Sequence, residues 1–513
     1  MKKMYFFILF LPILAFGQNY QTLQPEKEVY FEPDTLIHIP LDLFSNDGVF
    51  LRSLFMMPDS TGAAGNYYAN FTEIHNDEYT QLHWFEECVD TAMQSWIGNH
   101  VLIKDNGMNV FFNRENDSIF VNTWAELNES FVFYAYPDGS HFLATVTLKE
   151  NMEFLGITDN VKTIALQLYN ADNEPVNSPL NGTEIMLTEN FGFYKTINFR
   201  DFPGFGGGTF SVIEHTLFGH EDIANSFHKL TMRDVYDFEV GDEYHYSTYY
   251  SASSESWWKN KIIDILGKEW IQNDQVKYTY RQETWGYEGP PYYYDMFHFI
   301  DTVEKVYADI DTLINDHLPL QSYMIPTGTY DLLTYDIIQT DKYNGRPVMI
   351  TSNDGYSYTS YNDCFTRWWF DSGVFYADYY IKGGGKLSDN VTLDAGGYPY
   401  SSRQDMVYFM KGDEEWGTQL EPPVIGIDEH SGNHRTMLVY PNPAIGDIHF
   451  STGGVPVSGL CNFKLYDLNG RLLIDKSIDP NDDSIDVSKL NAGLYFYRVV
   501  GKELSEQGKI AVK

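Results

Sequence analysis

Apolar and polar positions alternate with a period of two along most of the chain. Between Phe131 and Leu148, FVFYAYPDGSHFLATVTL sets two alternating runs around Pro137-Asp138-Gly139-Ser140. Those four residues supply a fixed φ and a readily adopted positive φ, so the stretch predicts a β-hairpin. The pattern returns in VKTIALQLYN, with Ile164, Leu166 and Leu168 on one face, and in EYHYSTYY (Glu243 to Tyr250). It returns again in KIIDILGKEWIQNDQVKYTYRQETW, where Gln272 to Gln275 separates two strands. In YDIIQTDKYNGRPVMIT, Asn344-Gly345 suits a type I′ turn, which needs positive φ at both central residues. Helical periodicity is scarce, and EDIANSFHKL (Glu221 to Leu230) is among the few short candidates. The fold expected is mainly β, with a body of two antiparallel β-sheet units.

A glycine-rich bend, FPGFGGGTF (Phe202 to Phe210), precedes DVYDFEVGDEYHY (Asp234 to Tyr246), which reads as the entry to a fresh set of long strands. This divides the body into residues 18–235 and 236–418. Residues 419–436 (QLEPPVIGIDEHSGNHRT) are polar, carry Pro and Gly, and show no apolar period, which marks a linker. After it, from Met437 to Lys513, short strands follow quickly: MLVYPNP, DIHFST, NFKLYDL, RLLIDKSI, SIDVSKL, GLYFYRVV and GKIAVK. Seven strands in so short a stretch predict a small β-sandwich of the immunoglobulin-like kind. Asn469-Gly470 closes a hairpin in which Leu465 and Leu468 meet Leu472 and Ile474.

At the other end, Lys2 and Lys3 precede an apolar run from Met4 to Phe16, with small residues at Ala15 and Gly17. This is the pattern of a signal peptide, residues 1–17, cleaved between Gly17 and Gln18. The run is shorter than the roughly 20 residues a membrane helix needs. No cysteine stands near the cut to accept a lipid.

Charge and cysteine content narrow the classes. A formal charge of -38, from 34 basic against 72 acidic residues, repels phosphate backbones and excludes nucleic acid as a partner. Three cysteines among 513 residues are too few for a disulfide scaffold. Cys88 and Cys364 both lie in the body and can pair after export; two unlinked buried thiols are the equal alternative. Cys461 lies in the terminal unit.

The sequence assigns no catalytic, cofactor-binding or metal residue. EHTLFGHEDIANSFHK gathers Glu214, His215, His220, Glu221, Asp222 and His228, but His215 and His220 are not one helical turn apart and HExxH is missing. GFGGGTF and KGGGK (Lys382 to Lys386) lack the strand–loop–helix setting of a phosphate loop, so glycine there reads as a bend or bulge. No G-x-S-x-G elbow occurs. Choosing a catalytic pair among 72 carboxylates needs their spatial separation. The aromatic groups Trp257-Trp258, Tyr292-Tyr293-Tyr294 and Trp368-Trp369 suit core packing first and binding platforms second.

The terminal unit carries a more specific signal. Tyr440-Pro441-Asn442-Pro443-Ala444 opens it, Tyr466-Asp467-Leu468-Asn469-Gly470-Arg471 stands in its middle, and Leu490-Asn491-Ala492-Gly493-Leu494-Tyr495-Phe496 follows. Gly508-Lys509-Ile510 precedes the terminal lysine. In these four blocks the unit resembles the type A C-terminal sorting domain of proteins exported by the type IX (Por) secretion system of Bacteroidota; Ala511 stands where that family tends to place a branched apolar residue. The resemblance implies passage through the periplasm, recognition of the folded tail by the outer-membrane translocon and its sorting machinery, and removal of the tail. The body is then released or attached to surface lipopolysaccharide. Through DVYDFEVGDEYHY, YYIKGGGKLS and MVYFMKGDEEWGT the body resembles uncharacterised cargo proteins of the same organisms, which brings no catalytic residue. A repeated Asp-Ser/Thr-apolar pattern, at Asp117-Ser118-Ile119, Asp301-Thr302-Val303, Asp311-Thr312-Leu313 and three further places, resembles the O-glycosylation acceptor of Bacteroidota; a turn leading into a strand explains it equally. The expectation is a secreted or surface protein with a non-catalytic role in binding, adhesion or structure, its ligand unknown. The alternative is an extracellular hydrolase of glycans or proteins.

Overall fold

The structure, a computed structural model, describes residues 20–35, 37–38, 47–71, 73, 95–98, 100–204, 213–252, 256–288, 295–326, 331–352, 356–359, 364–367, 372–394, 400–423, 438–451, 459–468, 470–479, 483–501 and 505–513. The chain divides into two compact units, Met1–Pro422 and Pro423–Lys513. Among the described residues, regular structure is almost entirely antiparallel strand, with one helical turn, Met232–Val235, and a 3-10 stretch, Tyr343–Gly345.

The first unit begins with an eight-stranded sheet in the spatial order Ser130–Ala135, His141–Phe154, Ile157–Tyr169, Glu184–Thr188, Phe193–Ile197, Glu214–His220, Val29–Pro33 and Arg52–Leu54. A five-stranded meander from Met57–Gly62 to Ser118–Asn122 shares its core, where Phe31, Val101, Phe111, Phe133 and Ile164 form one apolar cluster. The hairpin expected around Pro137 is present. Tyr136 N–H donates to Ser140 O at 2.8 Å, Asp138 Oδ1 accepts from Ser140 N–H, and Gly139 takes φ +88, where a side chain would be strained. Ile164 and Leu166 are buried as their alternation predicts. Lys162, on the same strand, is also buried, because its ammonium donates to the carbonyls of Thr123 and Ala125 at 2.7 Å each beneath the Tyr20 ring.

A ten-stranded sheet follows, its main path running Asp295–Tyr307, Gln275–Glu288, Ser256–Gln272, Glu243–Ala252, Tyr400–Lys411, Gly385–Asp394, Ser372–Ile381, Val348–Ser352 and Ile337–Gln339. Gln272 and Gln275 pair across the predicted turn. Tyr244, Tyr246, Tyr278, Ile265 and Phe409 line its core, so many of the aromatics that mark these strands pack inside. Asn344 and Gly345 have φ +59 and +78, and Arg346 N–H donates to Tyr343 O, which is the turn chemistry expected. A third cluster joins Tyr30 and Leu51 to Leu230, Val235, Ile338 and Tyr380, and Leu51 N–H donates to Ile338 O at 2.8 Å.

Residues 221–230 are not helical. Ile223, Phe227 and Leu230 are buried at a helix-like spacing, but Ser226 bonds the backbone of His220 and Ile223 and holds the segment in turns. The helical turn starts afterwards at Met232, capped by Thr231 in a reciprocal pair with Asp234.

In the second unit a three-stranded sheet (Leu438–Tyr440, Asp447–Ser451, Ser484–Asp486) and a four-stranded sheet (Leu472–Ile478, Cys461–Tyr466, Gly493–Val500, Ser505–Val512) share one core, which contains Ile448, Phe463, Leu465, Val499 and Ile510. All seven expected strands are present. Leu465 pairs with Ile474 in the predicted hairpin, but Leu468 and Leu472 are 66% and 44% exposed, because a bulge between Leu465 and Tyr466 shifts the register.

Candidate functional site

The opening motif of the second unit is built to hold its last strand. Pro441 and Pro443 lack the N–H that a ladder requires, so the strand Leu438–Tyr440 stops there; both preceding peptide bonds are cis. Asn442 then reaches across with its side chain. Its Nδ2 donates to Lys509 O at 3.0 Å and its Oδ1 accepts from Ala511 N–H at 2.9 Å. Ala444, fully buried, continues the contact: its N–H donates to Ala511 O at 2.7 Å and its carbonyl accepts from Lys513 N–H at 3.0 Å. Tyr440 stays half exposed, its ring 5.9 Å from that of His449 on the neighbouring strand.

The other motif blocks converge on the same end. Tyr466, Phe496 and Lys509 form one rung of the four-stranded sheet, with Lys509 Nζ 6.0 Å from the centre of the Phe496 ring. Beyond that rung Gly493 pairs with Val512 and Tyr495 with Ile510, and the Tyr495 hydroxyl donates to Asn491 O at 2.7 Å. Ala492 is exposed in the turn entering this strand. On the adjacent strand Asp467 closes its own turn, accepting Arg471 N–H at 2.9 Å on Oδ1 and meeting Arg471 Nε at 3.1 Å on Oδ2, while Gly470 takes φ +75. Asn469 lies outside the described residues, as do Gly17 and Gln18. The reading of the motifs missed Ala444 and Asp467 as structural partners. Ala511 contributes backbone atoms to the clasp, which explains why its side chain departs from the family pattern without disturbing it.

A two-sheet β unit with its first and last segments clasped thus follows the β body along the chain. Residues 438–513 match the family model described as the secretion system C-terminal sorting domain. The protein is thus a cargo of the type IX secretion system, carrying a tail that engages that machinery and directs export to the cell surface or the medium. No curated protein matches the chain. Two solved structures from B. thetaiotaomicron, the extracellular domains of a one-component system and of a hybrid two-component system, align over 97% of this chain and 100% and 99% of theirs. Each is 8% identical with a TM-score of 0.13, too low to support an argument about fold or function.

In the body, the histidines of 214–228 are separately engaged. His215 stacks on Trp96 at 4.4 Å, and burial pushes its imidazole down to about 3, so it is neutral at ordinary pH. His220 accepts Asp222 N–H at 3.1 Å and meets Phe191 edge-on. No group of three metal-ligating side chains occurs among the described residues. In KGGGK, Gly383 and Gly385 have φ +66 and +85, and the carbonyls of Gly383 and Gly384 accept the hydroxyls of Tyr244 and Tyr246. The glycines thus serve a tight bend; the glycine run 206–208 lies outside the described residues. Cys364 is disulfide-bonded and Cys461 is free and buried; Cys88 lies outside the described residues. Thr302 and Thr312 are exposed, whereas Ser118 and Ser484 begin strands.

Two features of the body offer ligand surface. Trp270 lies at a hairpin end between Arg233, 4.6 Å from its ring, and Lys268, 5.9 Å away, beside a cleft of about 350 Å³ lined also by Gln272 and Asn273. Further along the same ribbon, Trp257 stacks on Tyr250 at 5.2 Å with planes 12° apart, and Trp258 meets Tyr287 at 5.2 Å. Tyr292-Tyr293-Tyr294 and Trp368-Trp369 lie outside the described residues.

Proposed function

We propose that the mature body is a non-catalytic binding protein of the cell exterior, acting in adhesion or ligand capture, and that residues 18–235 and 236–418 travel together as its passenger. In this reading residues 1–17 direct entry to the periplasm and are removed before Gln18. The tail is read by the outer-membrane translocon, and the body is released or attached to surface lipopolysaccharide. The supporting observation is the edge strand Asp295–Tyr307, which presents Met296, Ile300 and Val306 on one face, between 50% and 59% exposed. Apolar side chains concentrated in this way mark interaction surfaces.

Export and binding are tested separately. Deleting 437–513 leaves the body in the periplasm with unchanged thermal stability, because its core does not depend on the tail; appearance of the truncated chain in the medium would refute the address. Fusing 419–513 behind a signal peptide and an inert reporter carries the reporter outside. For binding, beads coated with the full chain adhere to producing cells or their matrix, and a Met296→Ser/Ile300→Ser/Val306→Ser variant loses that adhesion; equal adhesion by the variant rejects this face of the edge strand as the binding surface.

A further inference from the structure

The strand Asp295–Tyr307 closes one edge of the ten-stranded sheet. Its 13 residues pair rung for rung with the strand Gln275–Glu288, without a bulge and without proline, and among the described residues nothing pairs with its outer side. Every second residue therefore points an N–H and a C=O outward, along an edge roughly 40 Å long. Natural edges are commonly kept short, bent by a bulge or interrupted by proline, because an open ladder recruits another strand. None of these devices is present here. The side chains along the edge are accessible as well: Ile300 and Val306 are 54% and 50% exposed, and Asp301, Thr302, Glu304 and Lys305 are also exposed.

The order of residues on this edge is complementary to itself. When a strand pairs antiparallel with its own copy about a twofold axis, outward-pointing residues meet outward-pointing residues, so the axis passes through one residue. With the axis at Val303, Asp301 faces the copy's Lys305 and Lys305 faces the copy's Asp301. In the same register Ile300 faces Val306 and Phe299 faces Tyr307, each twice, while Thr302 faces Glu304. Neighbouring axes are worse. An axis at Thr302 sets Ile300 against Glu304, and an axis at Glu304 or at Asp301 sets that carboxylate against itself. Within one chain the two charges are unmatched: among the described residues Asp301 has no cation partner and Lys305 no carboxylate, its ammonium lying 4.7 Å from the centre of the Tyr307 ring.

We infer that this edge docks a second copy of the chain, the two Asp295–Tyr307 strands pairing antiparallel about Val303 so that the sheet continues from one copy into the other. The outward N–H and C=O groups supply the ladder, the two Asp301–Lys305 pairs fix the register, and the two Ile300–Val306 pairs take exposed apolar area out of water. The charges select this occupant because the edge offers one acid and one base placed symmetrically about its centre, in a chain whose 72 acidic residues outnumber its 34 basic ones. An acidic or a basic strand from elsewhere satisfies only one of the two. Strand-to-strand contact buries less than the roughly 1,600 Å² of a standard interface, so the association is weak and depends on concentration. The inference goes beyond the adhesive reading and does not need it: it uses the backbone edge of the strand, and pairing brings two copies of the face carrying Met296, Ile300 and Val306 side by side.

The test is sedimentation of the purified full chain over a dilution series. The wild type passes from monomer to dimer as concentration rises. Asp301→Lys and Lys305→Asp each set like charges opposite one another twice and weaken self-association at least tenfold. The Asp301→Lys/Lys305→Asp double variant, and an equimolar mixture of the two single variants, regain it, because every facing pair is again opposite in charge. A wild type that is monomeric at every concentration, or single variants that associate as strongly as wild type, overturns the proposal; single variants that weaken association without rescue on mixing overturn the Val303 register. Should the variants fold poorly, hydrogen exchange of the wild type decides: alternate amides between 299 and 307 gain protection as concentration rises. Protection already complete in the monomer shows the edge covered within its own chain and overturns the proposal. Because purified protein is used and Met296, Ile300 and Val306 are left in place, failure here leaves the cell-adhesion result of the preceding section to stand or fall independently.

Discussion

In the carboxy-terminal unit the core is Ile448, Phe463, Leu465, Val499, Ile510 and their apolar neighbours, and the polar work is done by the Asn442 clasp and the Asp467 turn at its edge. The body instead buries ionisable groups: Lys162 on two carbonyls, Arg52 against Glu73 at 3.0 Å, His215 on Trp96, and Asp336. Asp336 is 1% exposed, accepts the Tyr323 hydroxyl at 2.9 Å and is also bonded by Asn315, which in turn accepts His317 N–H. The difference teaches how each part tolerates its surroundings. Among the described residues the tail core buries no carboxylate, lysine, arginine or histidine, which suits a unit recognised as a folded shape, whereas the body ties its sheets together with polar networks whose strength depends on protonation.

The largest effect expected on this contrast is from Phe463→Ala. Phe463 is fully buried between Phe450 at 5.4 Å and Tyr497 at 6.2 Å, so truncation costs about 3–5 kcal/mol. Calorimetry of the full chain shows the tail transition falling while the body transition stays; a common shift of both transitions would show that the two cores are coupled.

Next in size is the pH dependence of the body. Burial raises the Asp336 carboxyl from 3.8 to about 7. Between those values the folded chain keeps a proton that the unfolded chain gives up, so stability is highest below about 4 and falls as pH rises to about 7. The fall is about 4 kcal/mol by the usual conversion. Asp336→Asn keeps the shape and the hydrogen bond from Tyr323 and flattens this slope, while the tail transition is level across the same window in both proteins. A slope identical in wild type and variant would assign it to other groups.

The smallest effect belongs to Asn442→Ala. Two hydrogen bonds to the terminal strand are lost at an exposed position, which lowers the tail's stability by about 1–2 kcal/mol. Hydrogen exchange reads it directly: the amide of Ala511 loses protection and that of Phe463 keeps it. Equal loss at both would make the clasp global to the unit instead of local to its end.

Much of this was legible beforehand, and unevenly. The hairpins at Pro137-Asp138-Gly139-Ser140 and Gln272–Gln275 followed from period-two alternation and turn chemistry, which are local properties. The same local reasoning failed at residues 221–230, where apolar spacing suggested a helix but Ser226 captured the backbone, and at Leu468 and Leu472, which a bulge turned outward. The motif blocks of the tail were recognisable as strings, but nothing in the strings said that Asn442 bonds Lys509 and Ala511.

By itself the sequence determined that this protein is mainly β and that it carries an export tail, because alternation and motif order do not depend on which strand lies beside which. Tertiary structure alone decided that four separated motif blocks meet at one end of a sandwich and that Arg281 meets Asp264 on the strand beside it. Those outcomes depend on register, and register is set by pairings between residues distant along the chain, where a shift of one position sends every side chain to the opposite face.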